Sequence, residues 1–313
     1  AFEKLNLRDY GVLLGFLALC IAISIATPSF LGKQNILNLL RQSSIIGIIS
    51  AGMTFVIISG NFDISVGAVA ALAGAITMKF ATGGTNLFAS MFLGVAICAV
   101  IGLINGIVVA KINVPSLIAT MAMVTIVRGL LLMLTGGYPI TENIPILDYI
   151  GNGYLFNIPI PVVIFFIVVL ASFIVLNKTK FGRYVYSVGG NQEASKLNGI
   201  NVDSHKVKVF IINAVLAGIA GIVLTGRLGT ATAIAGEGYD MDAIASVVIG
   251  GTSVAGGSGS VLKTVIGVLL MSVINNSFNL LGIDVYFQYI FKGLIILAAV
   301  GFDSYSKKKL ASR

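Results

Sequence analysis

Charged side chains are scarce in this chain. Only 10% of its 313 residues are Asp, Glu, Lys or Arg, whereas 57% are hydrophobic, and the mean hydropathy is +1.00. Soluble globular domains carry about 25% charged residues, so this composition excludes a soluble globular domain. It predicts an all-α polytopic membrane protein, with residues 1–313 forming a single transmembrane domain in the lipid bilayer.

Residues that usually carry catalysis or bind metals are scarce as well. The chain has one histidine, His205, and two cysteines, Cys20 and Cys98, which lie in apolar runs without metal-ligand spacing. Neither a disulfide nor a metal site is predicted. No paired carboxylates and no Ser/His/Asp set can be identified, so an enzyme is not expected. The net charge of +8 is explained by membrane orientation, and no nucleic-acid partner is predicted.

Apolar runs long enough to cross the hydrocarbon core, which is about 30 Å thick, predict about ten transmembrane helices. The runs 44–59 and 242–256 are short, so they are candidates for broken or re-entrant helices. The predicted spans are 11–27, 44–59, 64–82, 87–110, 116–134, 161–177, 208–226, 242–256, 262–281 and 285–302.

The hydrophilic segment 178–208 sets the predicted orientation. It carries six basic residues and two acidic ones, which places it in the cytoplasm by the positive-inside rule. The loop 136–160 has no Lys or Arg and then falls outside, and both termini fall in the cytoplasm. Lys33 and Arg41 also fall outside, against the rule.

Residues 191–199 within this segment have the marks of a short helix. Asn191 is a predicted N-cap, Glu193 lies in the first turn, Lys196 in the last, and Gly199 at the C′ position.

Ala194 and Leu197 share one face of this short helix. That face could enter a groove on a cytoplasmic partner, or the helix could rest on the lipid headgroups. Both interpretations remain open from the sequence.

The chain contains 37 glycines, and membrane helices use small residues to bring their backbones together. Small residues four apart predict tightly packed helices. These pairs are Gly102 with Gly106, Gly67 with Ala71, Ala70 with Gly74, and Ala217 with Gly221.

The glycine-rich run 250–260 is similar to a phosphate-binding loop only in part. Gly251 and Gly256 have the required spacing, but Gly257 stands where the loop needs a lysine, so a tight turn is predicted and any ATP must be hydrolysed by another chain. The segments 56–72 and 247–262 share a helix, a glycine-rich break and a second helix. They are either parallel repeats or similar by chance.

Three ionisable residues fall within or beside predicted spans. Asp63 precedes a span and is expected to cap it. Arg128 and Lys292 lie near predicted outer ends and are expected to extend to the membrane interface.

Four amide side chains, Asn275, Asn276, Asn279 and Gln288, form a predicted polar cluster across the last two spans. Such amides suit hydroxyl-rich solutes, and they equally suit hydrogen bonds between helices.

Several stretches resemble a known family. The chain is similar to the membrane permease subunit of bacterial ATP-binding-cassette importers of the ribose type, which move ribose, xylose or galactose. The matching stretches are NILNLLRQSSI at 35–45, GMTFVIISGNFDISVGA at 52–68, FGRYVYSVGGNQEASKLNGI at 181–200, GYDMDAIASVVIGGTSVAGGSGS at 238–260 and INNSFNLLGI at 274–283.

The resemblance implies a permease subunit in the bacterial inner membrane that acts with three kinds of partner. These are a second permease copy or a paralogue, a cytoplasmic ATPase that uses the ATP and Mg, and an extracytoplasmic sugar-binding protein. The chain itself would hold no cofactor. The implied coupling residues are Asn191, Glu193, Ala194, Leu197, Gly199 and Ile200.

The candidate pathway or gate residues are Asp63 and Ser65, which lie in a stretch that matches the family, together with the amides Asn275, Asn276, Asn279 and Gln288. Asn61 and Phe62 stand where relatives often have Gly and Ile, and the solute preference could differ if these positions line the pathway. Ribose is therefore the leading expectation and not the only one. Other monosaccharides are alternatives, and nucleosides or branched-chain amino acids are more distant ones. A different class, an ion-driven transporter or channel, would be expected to bury carboxylates in its spans, and only Asp63 approaches that description.

Overall fold

The computed structural model describes residues 7–311, with the side chains of residues 7–10, 299 and 302–311 left aside. Residues 1–6 and 312–313, which belong to the predicted cytoplasmic termini, lie outside the described residues. The described part forms thirteen α-helices and a 3-10 helix, Pro28–Leu31. The α-helices are α1 Leu7–Ala26, α2 Lys33–Ile58, α3 Val66–Thr82, α4 Leu87–Ala110, α5 Ser116–Thr135, α6 Pro145–Asn152, α7 Ile160–Lys178, α8 Lys180–Gly190, α9 Gln192–Leu197, α10 Val202–Leu228, α11 Tyr239–Ile249, α12 Val261–Leu280 and α13 Val285–Ala311.

Each of the ten predicted spans coincides with a helix, which confirms the all-α polytopic fold. Six helices are long and apolar enough to cross a membrane, namely α2, α4, α5, α7, α10 and α12. α1, α3 and α13 contain shorter apolar stretches. α6, α8 and α9 occupy the predicted hydrophilic connections.

The two runs predicted to be short behave differently. The interpretation of 44–59 as a short span is wrong, because α2 begins at Lys33 and is buried from Ser43 to Ile58. Its first turns mix Lys33, Gln34, Asn35 and Asn38 with apolar residues, which lowers their hydropathy. The run 242–256 does not span, because α11 has 11 residues and rises about 1.5 Å for each.

Helix α10 lies at the centre of the bundle and packs on α2, α3 and α4. Three of the four predicted small-residue pairs have a glycine at these contacts, and Gly67 of the fourth packs on Gly236 instead. Gly102 and Gly106 of α4 face the backbone of α10, and Gly221 of α10 faces that of Ala70 in α3. A side chain at any of these three positions would overlap the neighbouring helix, so the close approach depends on glycine.

Two breaks in the helices contact each other on the side of the bundle that carries α8 and α9. The first, 59–65, joins α2 to α3, and the second, 250–260, joins α11 to α12. The Gly257 N–H donates to the Ile58 carbonyl over 2.8 Å. The breaks of segments 56–72 and 247–262 are therefore joined directly through their backbones.

The other end of the bundle is tied by hydrogen bonds to backbone carbonyls. Asn152 of α6 donates to the Gly226 and Arg227 carbonyls over 3.3 and 3.2 Å. Arg41 of α2 donates to the Asn152 carbonyl over 3.1 Å and lies over the Tyr154 ring. Arg41, whose position breaks the positive-inside rule, is therefore a buried structural residue.

Four two-residue strands complete the connections at this end. β1 Ile140–Thr141 pairs antiparallel with β4 Thr230–Ala231, and β2 Tyr154–Leu155 pairs antiparallel with β3 Ile158–Pro159. None was predicted, because two residues leave no periodic pattern.

Candidate transport pathway and coupling site

The short helix predicted at 191–199 is present as α9 with both of its caps. The Asn191 side chain accepts the Ala194 N–H over 2.9 Å. Gly199 follows the helix at φ +77°, the left-handed conformation expected of a C′ glycine. Ile200 donates its N–H to the Ser195 carbonyl over 3.0 Å, which completes the C-terminal cap.

The two faces of α9 differ in what they contact. Leu197 is 89% exposed and Ala194 is also exposed. Ser195 is buried on the opposite face and bonds Ser187 of α8 over 2.9 Å. Lys196 lies 3.5 Å from Glu193 on the exposed surface. The apolar face of α9 is therefore directed away from the body of the protein.

Helix α8 joins α9 to the two glycine-rich breaks. Tyr186 donates its hydroxyl to the Gly259 carbonyl over 2.9 Å. Burial raises the pKa of the Tyr186 phenol, so the hydroxyl keeps its proton and remains a donor. Gly189 lies directly against the Ile58 carbonyl.

The prediction that Asp63 caps α3 is wrong. The N-cap of α3 is Ser65, and Asp63 accepts both the N–H and the hydroxyl of Ser65. Its second oxygen accepts Asn213 of α10 over 2.9 Å, and Asn105 of α4 donates to the Ser65 hydroxyl over 3.1 Å. All four side chains are buried. This network joins α3, α4 and α10. None of its four side chains lines either of the two cavities described below.

The backbone of the first break is satisfied by α5. Phe62 donates its N–H to the Ser116 hydroxyl, and Ile64 donates its N–H to the Thr120 hydroxyl, each over 3.1 Å. Irregular backbone at membrane depth persists only when neighbouring groups accept its hydrogen bonds. The two hydroxyls explain how the helix can be interrupted here.

The predicted amide cluster is divided among three neighbours. Asn275 donates to Asp242 of α11 over 3.4 Å. Asn276 exchanges hydrogen bonds with Asn35 of α2, and Gln288 of α13 donates to Asn279 over 3.2 Å. The prediction of one cluster is wrong, because successive residues of α12 point to different neighbours.

Lys292 and Arg128 do not extend to the interface as predicted. The Lys292 Nζ lies 3.0 Å from both carboxylate oxygens of Asp242, which is buried. Arg128 donates to the Ala233 and Ala235 carbonyls, the second over 3.1 Å. Asp242 is also a second buried carboxylate, which the sequence reasoning missed.

Residues 232–238 run back into the bundle before α11 begins. Gly236 packs on Gly67, in the first turn of α3. The start of α3 lies beside the middle of α10, because Asp63 bonds Asn213 there. Helix α11 therefore starts at the depth of the bundle centre, which is how discontinuous helices of transporters present their N-termini.

Two adjacent cavities lie beside this re-entrant segment. The larger has a volume of about 510 Å³, with polar walls from Arg128, Glu237 and Asp240. The smaller, of about 280 Å³, is lined by Gln288 and Lys292. Tyr289 and Glu237 line both cavities. Only Gln288 among the predicted pathway residues lines either of them.

A sequence signal for these missed residues does exist. Gly236 and Gly238 interrupt the chain just before the short apolar run 242–256, and a short hydrophobic segment interrupted by glycine is a pointer to a half-helix. The run 242–256 was predicted as a candidate re-entrant helix, but residues 232–241, which precede it, were not included in that prediction.

Membrane-length helices, a half-helix and a cavity lined in part by charged side chains indicate a membrane transport protein. The chain belongs to the family described as branched-chain amino acid transport system / permease component, which it matches over residues 35–300. It is an integral, multi-pass protein of the inner membrane.

Curated relatives match nearly the whole chain. The ribose import permease protein RbsC of Haemophilus influenzae is 44% identical, with 94% of each chain covered. RbsC of Bacillus subtilis is 43% identical, covering 95% of this chain and 93% of the relative. The xylose transport system permease protein XylH of Haemophilus influenzae is 34% identical, covering 98% and 99%. No solved structure matched the chain.

Proposed function

We propose that this chain is the membrane subunit of an importer that moves ribose into the cytoplasm. A separate ATPase drives it from the cytoplasmic side, and an extracytoplasmic binding protein delivers the sugar. Both termini of the chain lie in the cytoplasm. Similarity to ribose import permeases over nearly the whole chain supports ribose as the first choice of solute, and the xylose permease is the nearest alternative among these relatives.

The exposed apolar face of helix α9 is the observation that supports an ATPase partner. Covering an apolar side chain with a partner is favourable, because it removes apolar surface from water. Leu197 is 89% exposed, and its helix lies in the segment with six basic residues. The fixed caps at Asn191 and Gly199 hold this helix in shape before a partner arrives. Preorganised helices of this kind suit recognition in a groove.

The cavity residues support a second permease copy as the other wall of the pathway. Glu237 and Ile234 are exposed beside Arg128 and Asp240 on the cavity side. Ionisable groups that face lipid at membrane depth are costly, so they face protein or a water-filled space. A second copy would enclose them, and sugar hydroxyls find donors, acceptors and the Tyr289 ring there.

Reconstitution tests the proposal directly. The chain, its ATPase and a ribose-loaded binding protein are placed in vesicles, and accumulation of labelled ribose is measured with and without ATP. Accumulation should require ATP and should be inhibited more by unlabelled ribose than by xylose. Scrambling residues 191–197 should abolish both ATPase association and uptake. Uptake that survives the scramble would contradict the ATPase-driven mechanism.

An ion-driven transporter is the second candidate, and the buried Asp242 favours it. A coupling carboxylate has to gain and lose its ion, whereas Asp242 is held by Lys292 and Asp63 is held by Ser65 and Asn213. These fixed partners favour structural roles for both carboxylates and therefore count against an ion-driven mechanism. In the same vesicles, uptake that continues without nucleotide and stops with a protonophore would identify the ion-driven mechanism.

Valine at position 199 should weaken coupling without preventing membrane insertion. Gly199 has a positive φ and no atom near its missing Cβ, so a side chain there causes backbone strain and no clash. The strain costs about 1–2 kcal/mol, and ATP-driven uptake is expected to fall several-fold. Gly199→Asn is the matched control, since asparagine tolerates this conformation. Equal uptake in the two variants would show that the left-handed conformation at position 199 does not contribute to coupling.

A further inference from the structure

Three segments that are distant in the sequence meet at one set of glycines. Gly189 of α8 lies against the Ile58 carbonyl at the end of α2 and against the Gly257 nitrogen. Gly256, at φ +84°, lies against Gly60 and Gly189. We call the contact of Gly189 with Ile58, Gly60, Gly256 and Gly257 the glycine junction.

Backbone rather than side chains makes this contact. A Cβ at Gly189 would overlap the Ile58 carbonyl oxygen and lie 2.8 Å from the Gly257 nitrogen. That oxygen and that nitrogen are the two partners of the hydrogen bond that joins the breaks. Backbone contacts of this kind are stiff, because neither side has a rotamer that can absorb a displacement.

The junction lies between α9 and the candidate pathway. On one side, the Ser187–Ser195 hydrogen bond fixes α9 to α8. On the other, the first break leads to Asp63 and α3, and the second follows directly from α11, whose Asp240 lines the larger cavity. The Tyr186 hydrogen bond to Gly259 provides a second attachment of α8 to the same break.

We propose that the glycine junction transmits displacement of α8 and α9 to both helix breaks at once, with Gly189 as its positioning residue. The inference deepens the proposed function and rests on it, because α9 must first be moved by the ATPase. It adds which residues carry the motion inward. Helices α3 and α11, which follow and precede the two breaks, would then shift together around the cavity.

Gly189→Ala and Gly190→Ala form a matched pair for the test. Both change a glycine in the last turn of α8, but a Cβ at Gly190 meets its nearest atom, the Gly257 Cα, only at 3.9 Å. In the reconstituted complex, Gly189→Ala should keep ATPase association and lower ATP-driven ribose uptake by about tenfold or more. It should also lose the stimulation of ATP hydrolysis by the loaded binding protein. Gly190→Ala should retain both activities.

The outcomes separate the junction from the proposed function. If the unaltered chain takes up ribose with ATP and Gly189→Ala does the same, the junction proposal fails alone. Loss of ATPase association in Gly189→Ala would also overturn it, because the residue would then serve docking. If the unaltered chain fails to use ATP, the proposed function itself fails.

Tyr186→Phe provides a second route if Gly189→Ala does not accumulate in membranes. It removes only the hydroxyl that bonds the Gly259 carbonyl, and Tyr184→Phe is its control on the exposed side of α8. Stimulated ATP hydrolysis should fall in Tyr186→Phe and stay unchanged in Tyr184→Phe, with ATPase association retained in both. Unchanged stimulation in Tyr186→Phe would overturn the proposal.

Discussion

Replacing Lys292 with methionine should destabilise the folded protein by about 3–5 kcal/mol, the usual cost of leaving one member of a buried ion pair without its partner. Asp242 is 3% exposed, and Lys292 is the cation that the described structure places against it, with Asn275 as a weaker hydrogen-bond donor at 3.4 Å. The methionine chain fills similar space, so the loss reports the charge and not a cavity. Thermal unfolding in detergent measures it.

Two further variants decide whether the ion pair is the cause. Adding Asp242→Asn to Lys292→Met removes the uncompensated charge, and stability should return to near the original value. Lys111→Met, at an exposed position after α4, should change stability by less than about 0.5 kcal/mol. A double variant that remains as unstable as Lys292→Met would show that the lysine stabilises α13 by packing alone.

Replacing Arg128 with methionine should reduce ATP-driven uptake to the level of empty vesicles. Its guanidinium donates to the Ala233 and Ala235 carbonyls, which belong to the re-entrant segment before α11. Each carbonyl left without a donor away from water costs about 1–3 kcal/mol. The segment that walls the larger cavity would then lose its fixed position, and Gly236 would separate from Gly67.

Arg128→Lys is the informative companion to this variant. One nitrogen of Arg128 reaches both carbonyls, so an ammonium can replace part of the contact. Uptake should therefore recover partly in the lysine variant, while ATPase association stays unchanged in both. Full uptake in Arg128→Met would mean that the re-entrant segment does not shape the pathway.

The fold was predictable to the extent that it depends on hydrophobic length. Each of the ten predicted runs falls on a helix, because an uninterrupted apolar run has few alternatives to a membrane helix, although the run 242–256 is too short to span. The start of α2 was missed, since Lys33, Arg41 and their polar neighbours lower the hydropathy there. Burial of Arg41 depends on Asn152 and Tyr154, and no local pattern reveals a partner that far along the chain.

The candidate site was predictable where its chemistry is local. Asn191 and Gly199 act within one short helix, so the spacing alone located both caps of α9. The cavity residues are brought together by a segment that turns back into the bundle. Arg128 and Lys292 were assigned to the interface because snorkelling is the usual role of a lone cation near a helix end. Their actual partners come from the re-entrant segment and α11.

Under the proposed function, the tie between Arg41, Asn152 and the end of α10 has a consequence for how the sugar would be delivered. In the proposed orientation this tie lies on the extracytoplasmic side, and three of its hydrogen bonds end on main-chain oxygens, which stay in place when neighbouring side chains are changed. A delivery protein would therefore meet a rigid landing surface, and opening would be confined to the opposite end. Amide hydrogens near the tie should exchange at the same slow rate before and after ATP is added.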